Sequence, residues 1–157
     1  MSTGSIERPI VFGNNDTPGI FLSAAAKEYI KVYGVLVGKK PLIFTNNDSA
    51  YETALEFKKQ GVHPIILDTR EEHSSELIET AKSNNIQIKF SYAVIAANGY
   101  KKVKSALIGK LNRDKTDFEN SETIECDCIC VSGFWTPTVH LASQSGNKLK
   151  FNDQIDA

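Results

Sequence analysis

"PLIFTNNDSAYETALEF", residues 41–57, decides how the chain is read. Pro41 to Thr45 is a continuous apolar run of the kind a parallel sheet buries on both faces. Ser49 and Glu52 stand at capping-box spacing before a helical period that ends at Gly61. Strand, turn and helix in this order are where a βαβ nucleotide fold places its glycine-rich phosphate turn. Here that turn is Thr45-Asn46-Asn47-Asp48-Ser49-Ala50, without a glycine. An echo of the phrase, "FGNNDTPGIF" at 12–21, reads as a turn before Pro18, with a subunit contact as the alternative.

Outward from this stretch the period keeps switching. "HPIILD" (63–68) is a second buried strand, and "SSELIETAKSNN" (74–85) is a second helix with Leu77, Ile78 and Ala81 inward. "IQIKF" (86–90) is a third strand, which completes a βαβαβ unit. "YAVIAANGYKKVKSALIGKL" (92–111) then gives two strands hinged at the hairpin dipeptide Asn98-Gly99. After a polar stretch, "TIECDCICVSG" (123–133) reads as one strand returning to the parallel sheet. Upstream, "SAAAKEYIKVYG" (23–34) places Ala26, Tyr29, Ile30 and Tyr33 on one helical face, with Gly34 as the stop. The expected fold is α/β: a Rossmann-like βαβαβ parallel sheet with an added antiparallel β-meander. Residues 1–34 are expected to connect, 35–132 to form the Rossmann-like domain, and 133–157 to return toward a neighbouring domain.

At 157 residues the chain is long enough to bury a core, and a formal net charge of −1 gives no nucleic-acid footprint. No apolar run approaches the ~20 residues of a membrane span. "MSTGSIERP" has no signal-peptide core, so a cytoplasmic location is expected. Cys126, Cys128 and Cys130 alternate, which puts them on one strand face as core thiols; metal or redox duty is the alternative. His63, His73 and His140 are scattered, and no catalytic or metal residue is expected.

Laid over the turn, the fingerprint G-x-G-x-x-G/A falls on Thr45, Asn47 and Ala50. Ala50 still permits close helix–strand packing, whereas Asn47 occupies space that glycine leaves for a pyrophosphate. Asp48 brings a carboxylate to the same helix end, and like charges about 4 Å apart near a surface repel by roughly 4 kcal/mol. Asp68 keeps the ribose-binding place. The turn thus reads as the fold of a nucleotide site without the nucleotide. The alternative is a self-standing module that holds NAD or a mononucleotide through Asn46, Asn47, Ser49 and Asp68.

"STGSIERP" (2–9) and "VSGFWTP" (131–137) resemble the strand ends where an NADH-type domain is inserted into an FAD-type domain in two-dinucleotide flavoproteins. "ERPIVFGNNDTPGIF", "GKKPLIFTNNDSAY" and "VSGFWTPTVHLASQSGNKL" together resemble the α subunits of heterotetrameric sarcosine oxidase. More distantly they are similar to opine oxidase and hydrogen cyanide synthase subunits. The resemblance implies a middle domain excised from a longer chain, with Met1 an introduced start. It implies a complex that oxidises sarcosine to glycine, passing the one-carbon unit to tetrahydrofolate and electrons to oxygen. FAD and FMN would sit in the partner subunit. NAD would sit in a neighbouring α-subunit domain, touched from this chain by Thr136, Leu141 and Ser143, and tetrahydrofolate would bind a further C-terminal domain. The part in hand would be non-catalytic, supporting NAD binding and subunit assembly, with neither membrane nor nucleic acid as partner.

Overall fold

The structure is a computed structural model, described for residues 4–146 and 148–152. Ser2 and Thr3 of the N-terminal motif, Asn147 and the end of the 133–157 segment lie outside the described residues. The chain opens with β1 (Ser5–Glu7), β2 (Ile20–Leu22) and α1 (Ser23–Tyr33). Then come β3 (Pro41–Thr45), α2 (Ser49–Lys59), β4 (Ile65–Asp68), α3 (Glu76–Ser83) and β5 (Gln87–Phe90). β6 (Tyr92–Asn98), β7 (Ser105–Leu111) and β8 (Phe118–Glu125) follow, and the chain ends with β9 (Cys128–Ser132), β10 (Trp135–Pro137) and α4 (His140–Gln144).

The central sheet is parallel in the order β2-β9-β3-β4-β5, and β6-β7-β8 form an antiparallel meander. β1 and β10 make a separate antiparallel ribbon. Side chains alternate across β3, so one strand feeds two cores. Ile43 joins Ala26, Ile30, Tyr51, Phe57, Ile66 and Ile78 beneath the helices. Leu42 and Phe44 join Phe12, Leu67, Val94, Ile108 and Val131 beneath the meander. The parallel sheet is thus covered on both faces, as its apolar strands require. Segment 1–34 supplies β2 to the sheet edge and packs α1 on α2. No helix among the described residues is long and apolar enough to cross a membrane.

The structure departs from the sequence reading in four places. Ser49 and Glu52 form no capping box: α2 starts after Asp48 without a side-chain cap from that residue, and Glu52 instead pairs with Lys27 of α1 at 2.7 Å. On α1, Ala26 and Ile30 are buried but Tyr29 and Tyr33 are exposed, because α2 covers only a narrow stripe. The hairpin between β6 and β7 closes over residues 99–104 rather than turning at Asn98-Gly99. There Val103 is drawn into the core, and its N–H donates to the Pro18 carbonyl at 2.9 Å. Finally, "TIECDCICVSG" is split between β8 and β9. Asp127 accepts the Lys39 and Lys40 N–H groups at 2.7–3.0 Å, which breaks the run. Cys126 therefore faces the meander core, while Cys128 and Cys130 face the helices.

Candidate functional site

The β3–α2 turn lies at the carboxyl edge of the parallel sheet, where open α/β folds bind ligands. It is filled by its own side chains. Thr45 Oγ1 accepts from the Asn47 N–H at 3.0 Å and donates to the Asn47 carbonyl at 2.9 Å, tightening the turn. Asn47 Nδ2 reaches across to the Ser132 carbonyl at 3.2 Å and Ser132 Oγ at 3.1 Å on β9. Asn47 Oδ1 accepts from the Ser49 N–H at 3.1 Å and from Ser49 Oγ at 2.6 Å. The carboxamide thereby takes a helix-start N–H that a phosphate would use. Trp135 closes the turn from the other side, donating its indole N–H to Ser49 Oγ at 2.9 Å.

A charge cluster lies beside this elbow. Asp68, fully buried at the end of β4, accepts the Tyr51 hydroxyl at 2.8 Å and three bonds from Arg70, at 3.0, 3.0 and 2.7 Å. Arg70 also reaches Asp48 at 2.6 Å, with His73 Nε2 3.6 Å from the same carboxylate oxygen. Burial would raise the Asp48 carboxyl, but the Arg70 and Ser75 hydrogen bonds and the Arg70 charge outweigh it and hold it below its ordinary value. Burial first, then Asp68, pushes the Tyr51 hydroxyl far above its usual range. Arg70 stays charged, because the two carboxylates overcome the opposing effect of burial.

This geometry corrects part of the sequence argument. Asp48 is not poised bare at the helix end: it turns toward Arg70. Two carboxylates around one guanidinium still leave one excess negative charge, so the cluster repels an anion, though less than two free carboxylates would. Occupied volume is the stronger obstacle. Asn47 and Trp135 fill the elbow from its two sides, and Asp68 is fully buried.

The other expected residues lie elsewhere. Thr136 is half-buried in β10, opposite Ile6. Leu141 and Ser143 are exposed on α4. Among the described residues no cluster of histidine, cysteine or carboxylate side chains could hold a metal ion. The three cysteines are buried and free. Burial pushes the Cys126 thiol up to about 12. The Cys130 thiol rises through its bond to Cys128, then burial, then the Cys128 and Glu7 charges. Sequence reasoning missed Arg70, Trp135 and Glu7. The signals were an arginine two places beyond a strand-ending aspartate, and the chain's one tryptophan after a strand-ending serine and glycine.

No family model matches the chain. Curated relatives do: the sarcosine oxidase subunit alpha of Corynebacterium sp. (strain P-1) is 34% identical over 158 residues, 100% of this chain and 16% of that protein. The same subunit of Rhizobium meliloti (strain 1021) is 32% identical over 149 residues, 94% of this chain and 14% of that protein. The chain is related, end to end, to part of the sarcosine oxidase alpha subunit. It spans about a sixth of the length of the relatives it matches. Solved structures agree on the fold. T. acidophilum thioredoxin reductase superposes with a TM-score of 0.73 at 15% identity, over 95% of this chain and 48% of that one. L-proline dehydrogenase from P. horikoshii gives 0.64 at 21% identity, over 96% of this chain and 24% of that one. The sarcosine oxidase-like sequence therefore adopts the α/β architecture of these oxidoreductase chains.

Proposed function

We propose that this chain is a non-catalytic Rossmann-like domain of an oxidoreductase of the sarcosine oxidase type. Its role is to support an NAD site built mainly by a neighbouring domain. The observation that carries this reading is the self-filled elbow, where Asn47, Ser49, Ser132 and Trp135 satisfy one another in the place a phosphate would occupy. The relatives are subunits named for sarcosine oxidation, so the parent complex would convert sarcosine to glycine with tetrahydrofolate and O2. Its FAD and FMN would lie in a partner subunit, and tetrahydrofolate would bind a further domain. Residues 35–132 would be the bulk of the inserted domain, with 1–34 the entry that joins its sheet and helix layer through β2 and α1, and 133–157 the return, in a cytoplasmic complex.

Thr136, Leu141 and Ser143 would be this chain's contribution to NAD. Leu141 and Ser143 are exposed, hence free to meet a neighbouring domain. Two measurements test the reading. Incubated with sarcosine and tetrahydrofolate in air, the chain alone forms no peroxide; turnover by it would contradict a non-catalytic role. In a complete α subunit, Leu141→Asp weakens NAD retention while leaving the fold intact; unchanged retention removes the tail from the site.

A further inference from the structure

We propose that Glu7 and Trp135 form a releasable latch that docks the β1–β10 ribbon across the carboxyl edge of the parallel sheet. The two residues face each other in the ribbon's register. From this one cross-strand pair, each side chain reaches the start of a different helix. Glu7 Oε2 accepts the Ala24 N–H in the first turn of α1 at 2.9 Å. The Trp135 indole donates to Ser49 Oγ at the start of α2, 2.9 Å away. α1 has no side-chain cap from its own N-cap residue Leu22, so the ribbon's carboxylate supplies one, where an anion is favoured.

Two features make the latch releasable. Glu7 is 6% exposed, and its second oxygen, Oε1, is buried without a hydrogen-bond partner, which opposes docking. Phe134, between β9 and β10, holds φ at 91°, a region a bulky side chain rarely enters. Gly133 beside it admits the close approach: a Cβ there would meet Ile10 Cγ1 at 2.8 Å and the Pro9 carbonyl at 2.9 Å. The docked ribbon thus combines good contacts at two helix starts with local costs that undocking relieves. Undocking would uncover both helix starts together. The inference concerns only the ribbon and the sheet, and holds wherever NAD binds.

Because the chain has one tryptophan, its fluorescence reports this contact directly. A latch predicts that the Ala24 N–H and the Trp135 indole N–H share one opening constant once each rate is referred to its own intrinsic rate, larger than that of the amides of β3 and β9. Ser49→Ala removes the indole bond and the Ser49 Oγ–Asn47 bond but touches neither Glu7 nor Ala24, yet it should speed exchange at Ala24 about threefold or more, because one opening exposes both groups. Glu7→Ala should raise acrylamide quenching of Trp135 about twofold or more. If Glu7→Ala fails to fold, the Ser49→Ala arm decides alone. Different opening constants in the wild type, or variants that perturb only their own half, would overturn the latch.

Discussion

At the scale of single residues, one side chain does what a glycine would have left undone. Asn47 engages Ser49 with its oxygen and Ser132 with its nitrogen, tying β3, α2 and β9 together. Asn47→Gly should therefore cost about 1–3 kcal/mol in chemical denaturation, and should not create a nucleotide site while Trp135 remains. Asp68 is the second decisive residue, since its carboxylate is fully buried and takes four hydrogen bonds, one from Tyr51 and three from Arg70. Tyr51→Phe removes a bond to that charge and should cost about 1.5–3 kcal/mol. Arg70→Ala should cost more, about 3 kcal/mol or above, because it strips a fully buried carboxylate of its counter-charge. Asp48 sets an acid limb. Its carboxyl lies below the ordinary value of 3.8 in the folded state, so its contribution is present above 3.8 and is lost as pH falls below it. Arg70→Ala should shrink that acid-side loss in a pH series of denaturation curves.

At the scale of elements, β9 links the two cores. Cys128 and Cys130 face the helices, Ile129 and Val131 the meander, and Ser132 ends the strand at the elbow. The three thiols should react with an aromatic disulfide reagent only as fast as the protein opens, because all of them are buried away from the reagent. A thiol with a raised folded value stabilises fully below its unfolded value and loses that stabilisation as pH rises toward the folded one. For Cys126 that window runs from 9.0 to about 12. The helices and strands from β3 to β5 were legible because their periods are unambiguous and glycine or asparagine marks their ends. The break at Asp127 was not, since "ECDCICV" alternates smoothly and only the Lys39 and Lys40 N–H groups, far off in sequence, interrupt it. The exposed side of α1 was missed for a similar reason: pattern alone gives a helix an apolar stripe but not its covered width. The aromatic ladder Phe21–Tyr29–Tyr33, with centroids 6.4 and 6.0 Å apart, lies partly outside that cover.

At the scale of the whole molecule, a parallel sheet packed on both faces ends in an edge already occupied by its own chain. That the elbow lacks glycine was plain in the sequence. What fills it was not, because Ser132 and Trp135 lie more than eighty residues from Asn47 and Ser49. The most direct measurement is a titration of the isotope-labelled chain with NAD, following the backbone amides of residues 45–51 and 68–70 and the Trp135 indole. The account predicts no saturable shift at any of them. Saturable shifts centred on 45–51 and abolished by Asp68→Ala would place a dinucleotide on the elbow and contradict it.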